Sequence, residues 1–399
     1  MRRNGVVASL GVAQTLAWAS SYYLPAVLAQ PIARDLDVGP SVVYGAFSVA
    51  MAVAGLVGPA SGRAIDRWGG RPVLVATNAA FALGLAALAS ARDGPGLFAA
   101  WALIGLAMGS GLYEAAFAAA VRLWGTGSRG AITGITLFAG FASTVGWPLS
   151  AWMEARWGWR GACLGWAALH LVVALPLNAS LPRPSARGRA EDDASGVDAA
   201  SAASPPEPAP MPRASERLAM GLLGFVFAVT WFTSTAMATH LPALLQSAGV
   251  GLATAVAIGA LIGPAQVAAR LLEAGVLRRL HPLLSARLAA LGHPAGAVLL
   301  LAAGPAWAPA FALLHGGGNG IMTIAKGTLP LALFGSRDYG ARQGWLMLPA
   351  RIAQALAPLA FGLALERWGA AALWGTGLLG VSALAALAVL RAPLSRGAA

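Results

Sequence analysis

Charged side chains are scarce in this sequence. Asp, Glu, Lys and Arg together make up 11% of the 399 residues, whereas hydrophobic residues make up 58%. A soluble domain carries charge on about a quarter of its residues, because its surface faces water. The shortage of charge therefore excludes an ordinary soluble protein and indicates that most of the surface faces lipid.

Cysteine and lysine are almost absent. The single cysteine, Cys163, excludes an intramolecular disulfide framework, and the only lysine is Lys326. The formal net charge of +12 comes mainly from arginines at the ends of apolar runs, so it does not indicate a nucleic-acid partner. No metal-ligand spacing and no Ser-His-Asp constellation is evident. We therefore expect no cofactor, no metal and no enzymatic activity.

Long apolar runs, in contrast, fill most of the chain. Since one span needs roughly 20 apolar residues, there is room for about twelve transmembrane helices. The predicted spans are 5–29, 41–62, 72–91, 96–121, 131–153, 161–181, 218–245, 253–272, 286–304, 308–334, 343–365 and 370–390. The sequence thus predicts an all-α, multi-pass membrane protein.

Arginines mark one side of these spans. An even number of spans puts both termini on the same side, and most arginines of the short loops fall on that side. The opposite side holds only Arg34, Arg92, Arg156, Arg160 and Arg367. The positive-inside rule then predicts that both termini are cytoplasmic, in a bacterial-type inner membrane.

One long polar segment, 182–217, divides the spans into two sets of six. It is rich in Pro, Ala and Ser, a composition that cannot bury a core, so we expect a disordered cytoplasmic linker. The predicted domains are therefore a six-helix bundle over 1–181, the linker, and a second six-helix bundle over 218–399.

The two sets of spans repeat each other. Leu24-Pro25-Ala26 matches Leu241-Pro242-Ala243, and Gly58-Pro59-Ala60 matches Gly263-Pro264-Ala265. Arg156-Trp157-Gly158 matches Arg367-Trp368-Gly369 in the same order, a little over 200 residues later. Such internal similarity indicates a duplicated six-helix unit.

A duplicated six-helix unit with a cytoplasmic linker resembles the major facilitator superfamily. The loop after the second span, 62–71, reads GRAIDRWGGR and is similar to the family signature Gly-x-x-x-Asp-Arg-x-Gly-x-Arg. Ala64 and Gly70 depart from the usual pattern, and the second half lacks the Asp-Arg pair. The resemblance implies a 6+6 pseudo-two-fold fold with one central substrate site and transport by alternating access.

The same loop supplies a candidate conformational gate. In the resembled family the acid braces the cytoplasmic side against the start of span eleven and locks the outward-open state. Its glycines permit close helix approach and a tight turn. The gate residues implied by the resemblance are Gly62, Asp66, Arg67, Gly69 and Arg71; the alternative is a purely topogenic basic loop.

Three of the charges inside predicted spans stand out, since charge is expensive there and indicates function. Glu114, Lys326 and Arg351 each fall roughly 12–17 Å from the inner surface at about 1.5 Å per residue. Glu114 and Lys326 occupy nearly equivalent repeat positions, and the resemblance implies that their spans line the central cavity. They are expected to approach each other, either as a pair that substrate or a proton breaks or as a permanent bridge. Arg351 makes the set net positive, or it caps a carbonyl.

Polar and aromatic residues on the first and seventh spans are weaker candidates for substrate binding or coupling. His240 is a candidate proton relay or outer gate residue, and anchoring of a helix end is an equal alternative. A glycine-rich run, 315–320, lacks the features of a phosphate loop and predicts close helix packing. These weaker candidates are Gln14, Trp18, Tyr23, Trp231 and His240.

The net positive charge of Glu114, Lys326 and Arg351 together favours a secondary transporter for a small anionic solute, a carboxylate or oxyanion. Protons are the expected coupling ion, with Glu114 as their carrier. The alternative is a proton-driven exporter of amphipathic or cationic drugs, in which Glu114 binds the proton. Span five reads Gly146-Trp147-Pro148 where many antiporters of the family carry Gly-Pro-x-x-Gly, which favours the first. We expect a monomer in the bilayer.

Overall fold

A computed structural model describes residues 2–182 and 211–390, and these residues contain helices and no strand. The helices of the first part are α1 Arg3–Ala19, α2 Pro25–Asp35, α3 Pro40–Trp68, α4 Gly70–Ser90, α5 Gly94–Gly111, α6 Tyr113–Trp124, α7 Arg129–Ala139, α8 Ala142–Leu169 and α9 Leu175–Ala179. Those of the second are α10 Arg213–Ser247, α11 Leu252–Ala260, α12 Ile262–Gly275, α13 Pro282–Ala303, α14 Ala308–Phe334, α15 Tyr339–Trp368 and α16 Ala372–Val389.

Six stretches of the described chain are helical, long and apolar enough to cross a membrane. They are Pro40–Trp68, Gly70–Ser90, Gly94–Ala179, Arg213–Ser247, Pro282–Ala303 and Tyr339–Val389, and two of them contain more than one helix. The predicted all-α membrane fold is confirmed by these helices and the comparisons below. The count of twelve spans stays a prediction.

Several predicted spans are broken where proline removes a backbone donor. The first span was expected to run from 5 to 29, but α1 ends at Ala19 and α2 begins at Pro25. Likewise, α11 and α12 are separated at Leu261, three residues before Pro264. The fourth span divides at Leu112 without a proline, between α5 and α6.

The repeat appears in the backbone as well as in the sequence. Gly158 has a φ of +69° and its counterpart Gly369 has a φ of +55°, each directly after an Arg-Trp pair. Gly125 and Gly335, which follow the ends of α6 and α14, also have positive φ. Glycine adopts this conformation without the steric penalty that a Cβ imposes. Equivalent turns therefore use equivalent glycines.

The described helices form two compact units. The first comprises Met1–Ala209, as far as described, and Phe334–Gly344; the second comprises Pro210–Leu333 and Trp345–Ala399, as far as described. The start of α15 therefore belongs to the first unit, although the sequence assigns it to the second bundle. Most of the predicted linker lies outside the described residues, and α10 already begins at Arg213, within the stretch expected to be linker.

Close backbone contacts hold each unit together. In the first unit, α5 packs on α3 with Gly105 against the backbone of Ala50. In the second unit, a Cβ on Gly318 would lie 2.5 Å from the carbonyl oxygen of Ala289, and one on Gly320 equally close to that of Gln266. The glycine run of α14 thus packs against α12 and α13, as its sequence predicts.

Candidate functional site

Asp66, in the last turn of α3, binds the beginning of α15 within the first unit. Its Oδ1 accepts a hydrogen bond of 2.9 Å from the backbone N–H of Gly340, and its Oδ2 accepts one of 2.8 Å from that of Ala341. The first N–H groups of a helix lack intrahelical partners, and the helix dipole favours negative charge there. Asp66 therefore caps α15 with both of its oxygens.

Gly62 makes this cap possible. A Cβ on Gly62 would overlap the carbonyl of Gly340, and one on Gly340 would lie 2.5 Å from the carbonyl oxygen of Gly62. Because neither residue has a side chain, the two backbones come close enough for the carboxylate of Asp66 to reach the helix end. Of the gate residues, the structure brings Gly62 and Asp66 to this contact.

The other gate residues lie around the turn between α3 and α4. Gly69 has a φ of +85°, a conformation that favours glycine. The guanidinium of Arg67 lies 5.7 Å from the ring centroid of Trp68, and Arg71 is in the first turn of α4. Their placement leaves the gating role a prediction.

Glu114 lies in the first turn of α6, just after the break at Leu112. Leu112 is extended, with φ −81° and ψ −166°, so the fourth span is two helices in series. A carboxylate is favoured at a helix N-terminus, and discontinuous helices form the ion and substrate sites of many transporters. The break therefore gives this intramembrane acid a favourable position that the sequence did not reveal.

Gln14 stabilises the same break from α1. Its Nε2 donates a 2.6 Å hydrogen bond to the carbonyl oxygen of Gly111, the last residue of α5, and the side chain is 2% exposed. A carbonyl at an interrupted helix end must find such a partner inside a membrane. The structure therefore places Gln14 on the backbone beside Glu114.

Trp18 and Tyr23 belong to one aromatic cluster of the first unit. The ring of Trp18 lies 4.9 Å from that of Tyr113 and 6.4 Å from that of Tyr23. Tyr23 also packs edge-on against Trp147 at 5.9 Å. Tyr113 directly precedes Glu114, so the cluster reaches the acid. The sequence did not single out Tyr113 or Trp147, since aromatic residues of spans four and five carry no pattern that predicts this contact.

The second unit brings the cations Lys326 and Arg351 to one indole ring. The Nζ of Lys326 lies 4.6 Å from the ring centroid of Trp231, and the guanidinium carbon of Arg351 lies 5.8 Å from it. Lys326 is 1% exposed and Arg351 is 3% exposed. Arg351 also donates a 3.0 Å hydrogen bond from Nη1 to Oε1 of Gln354, a buried residue that the sequence reading missed. We call Trp231, Lys326, Arg351 and Gln354 the cation cluster.

His240 ties α10 to α15. Its Nε2 lies 2.8 Å from the carbonyl oxygen of Pro358, and its ring packs near Phe361 with centroids 5.9 Å apart. This contact joins the interiors of two helices within the second unit. It is compatible with anchoring and with a relay, the two roles that the sequence leaves open.

Comparison with known proteins identifies the family. The family model described as Major Facilitator Superfamily matches residues 10–347. The chain belongs to the major facilitator superfamily. The predicted resemblance is therefore confirmed, and with it a multi-pass membrane fold of secondary transporters rather than enzymes. The search of curated proteins finds no match to this member of the superfamily.

Solved structures of the superfamily share the fold. The crystal structure of the human organic anion transporter MFSD10 (TETRAN) aligns with a TM-score of 0.71 and 16% identity, covering 97% of this chain and 100% of that chain. The proton:xylose symporter XylE, bound to 6-bromo-6-deoxy-D-glucose, aligns with a TM-score of 0.72 and 12% identity, covering 96% of this chain and 94% of that chain. At these identities the likeness shows the fold alone.

Proposed function

We propose that this superfamily member moves a small anionic solute, a carboxylate or an oxyanion, across a bacterial-type inner membrane by alternating access, in symport or antiport with protons. The observation that carries the proposal is the cation cluster, in which Lys326 and Arg351 both pack on Trp231. The protein acts as a monomer with both termini in the cytoplasm.

Two buried cations on one aromatic ring suit an anionic ligand. The indole face attracts both charges and holds them in place, and an anion that approaches the ring is attracted by both. Arg351 supplies a planar fork that fits a carboxylate or an oxyanion, and Lys326 supplies a compact point charge. Gln354 fixes the orientation of the Arg351 fork through its 3.0 Å hydrogen bond.

Glu114 is the proposed proton carrier. It lies half-buried at the N-terminus of α6, where the helix dipole favours the ionised form and burial favours the neutral form. A carboxyl group balanced in this way can bind and release a proton as its surroundings change.

The names of the two aligned proteins support the two halves of this proposal. MFSD10 is named as an organic anion transporter, and XylE as a proton symporter. Since the identities are low, these names support an anionic solute and proton coupling only as chemistry that this fold can accommodate.

A second candidate function rests on the first unit. The aromatic cluster of Trp18, Tyr23, Tyr113 and Trp147 includes the residue directly before Glu114, and aromatic faces attract amphipathic cations. An exporter of cationic drugs would use this combination, with Glu114 as its proton-binding acid. The two candidates differ in the sign of the ligand, so one binding experiment separates them.

The experiment is a thermal-shift measurement on the purified protein with benzoate, succinate, inorganic phosphate and tetraphenylphosphonium. At a ligand concentration of about 100 times Kd, binding stabilises the folded state by about 2.7 kcal/mol. We expect at least one anion to raise the unfolding temperature of the wild type and of Arg337→Gln, a control whose side chain is 93% exposed. The same anion should leave Lys326→Ala and Arg351→Gln unchanged.

The opposite result is equally clear. Stabilisation by tetraphenylphosphonium, with none of the three anions effective, would overturn the anion proposal and favour the exporter. If Lys326→Ala does not fold, Arg351→Gln gives the same test because it removes one cation of the cluster and keeps the other.

A further inference from the structure

A second group of titratable residues lies in the second unit, apart from the cation cluster. His293 on α13 and His315 on α14 face each other with their Nδ1 atoms 3.0 Å apart, and both rings are buried. The Nε2 of His293 lies 2.9 Å from Oγ1 of Thr376 on α16. Three helices thus contribute to one chain of polar groups inside the bundle.

The hydrogen bonds determine which nitrogen carries each proton. Thr376 donates its one hydroxyl proton to the carbonyl oxygen of Leu373, 3.1 Å away, so its oxygen accepts from the Nε2–H of His293. A neutral His293 then has a lone pair on Nδ1, and His315 must donate its Nδ1–H to it. The Nε2 of His315 is left as the acceptor at the end of the chain.

A cavity adjoins this pair of rings. It has a volume of about 40 Å³, which is room for about two or three water molecules. His293, His315, Thr230, Thr233 and Asn319 are the polar residues of its lining. The Oγ1 of Thr233 is buried and has no hydrogen-bond partner among residues 2–182 and 211–390. The volume and the polar lining suit a few water molecules, to which this hydroxyl would hydrogen-bond.

We infer that His315 is a proton-binding site of the second unit, which takes one proton on Nε2 from water in this cavity and holds the charge through its hydrogen bond to His293. Burial opposes a charged imidazolium, and the neighbouring imidazole and cavity water offset part of that penalty. Only one proton binds, because two imidazolium rings whose Nδ1 atoms lie 3.0 Å apart would repel each other strongly.

No charged side chain is among the described residues that line the cavity. The described residues lining the cavity come from α10, α13, α14 and α16, and the two histidines are the titratable groups among them. The charge state of the pair therefore depends on cavity water and on the two rings. The inference goes beyond the proposed function, since it adds a proton site separate from Glu114. It rests on the proposed function only for the statement that this proton takes part in coupling.

His170 provides a matched control in the first unit. It is also fully buried, but Asn78 Oδ1 lies 2.9 Å from its Nδ1 and Ser20 Oγ lies 2.8 Å from its Nε2. The Oγ of Ser20 lies 3.4 Å from the carbonyl oxygen of Ala17 but only 2.8 Å from Nε2 of His170, so its proton goes to Nε2, and the Nδ1–H of His170 donates to Asn78. We expect His170 to keep one neutral tautomer, Nδ1–H, under conditions in which His315 takes up a proton.

The test is ¹⁵N NMR of the full chain in lipid nanodiscs, labelled at its five histidines and titrated from pH 8 to pH 4 without any transported ligand. Signals are assigned with His293→Gln, His315→Gln and His170→Gln. At pH 8 we expect His293 as the Nε2–H tautomer and His315 as the Nδ1–H tautomer. On acidification the Nε2 of His315 should move to the position of a protonated nitrogen, with one proton gained by the pair.

Three outcomes would overturn the inference: the same tautomer on both rings, an Nε2 of His315 that stays unprotonated down to pH 4, or uptake of two protons. If His293→Gln does not fold, the wild-type titration with the other two assignments still decides. Because no solute is used, a negative result leaves the anion proposal standing, and failure of the anion screen leaves this inference standing.

Discussion

The carboxylate of Asp66 caps α15 through Gly340, accepting a 2.9 Å hydrogen bond from its backbone N–H. The contact depends on Gly62, because a Cβ there would overlap the Gly340 carbonyl. A charge at the end of α3 is thereby joined to a helix that begins more than 270 residues later. Breaking or forming this cap changes the stability of the state that contains it, which is the physical requirement for a gate.

Replacing Asp66 by Asn should destabilise this state. The amide keeps one acceptor and loses both the second acceptor and the negative charge at the helix N-terminus. Loss of a helix cap typically costs about 1 kcal/mol. We expect a lower unfolding temperature in detergent and altered transport. The control is Asp338→Asn, a 72% exposed acid in the same region, and equal effects of the two variants would contradict a capping role.

Adding a methyl group at Gly62 should push α3 away from α15. Overpacking a tight contact costs about 1–3 kcal/mol, and the backbone of Gly340 cannot rotate aside as a side chain can. We expect Gly62→Ala to lower thermal stability and to slow transport. A Cβ on Gly130 meets nothing within 4 Å, so Gly130→Ala should behave as wild type in both measurements.

Gln14 is expected to be more important for stability than for solute binding. Gln14→Leu keeps the volume and removes the 2.6 Å hydrogen bond to the Gly111 carbonyl, leaving that buried group unsatisfied at a cost of about 1–3 kcal/mol. The measurement is thermal unfolding, with Gln246→Leu as the control, because Gln246 is exposed and bonds only within its own helix. A normal unfolding temperature with lost ligand binding would instead make Gln14 a binding residue.

Trp231 should control the affinity of the cation cluster for the anionic ligand. Trp231→Leu removes the aromatic face that holds Lys326 and Arg351, and a desolvated cation–π contact contributes about 2 kcal/mol. Affinity for the stabilising anion should then fall by about tenfold or more. Trp374→Leu, at a 45% exposed position on α16, serves as the control. Unchanged anion affinity in Trp231→Leu would show that the ring only fills space.

The ion pair of Asp35 and Arg160 predicts a pH dependence. The hydrogen bond from Arg160 lowers the pKa of the Asp35 carboxyl, so the pair stabilises the folded state above the unfolded-state value of about 3.9. That contribution is lost as the pH falls through the lower folded-state pKa. Asp35→Asn should therefore lower the unfolding temperature slightly at pH 7 and less at about pH 3. Asp37→Asn is the control. A loss of unfolding temperature in Asp35→Asn that grows on acidification would contradict the stabilising role of the ion pair.

The sequence by itself determined the class of protein and its family. The small fraction of charged residues indicates lipid-facing helices. The signature at 62–71 identifies the superfamily, because glycine and an acid are needed at fixed positions of one tight loop. The matched triplets Arg156-Trp157-Gly158 and Arg367-Trp368-Gly369 predicted a duplicated unit, and both of their glycines have a positive φ. The residue types at these positions are sufficient to predict these features.

Only the tertiary structure decided which polar groups meet. Lys326 and Arg351 were found from their cost in a membrane, but their common partner Trp231 depends on how α10, α14 and α15 pack. No proline lies at the break before Glu114, so the sequence did not predict it. Gln14 of another helix stabilises the break. The contact of His293 with His315 likewise arises where glycines let α13 and α14 approach. Side-chain partners across helices are set by packing distances, which periodicity and composition do not encode.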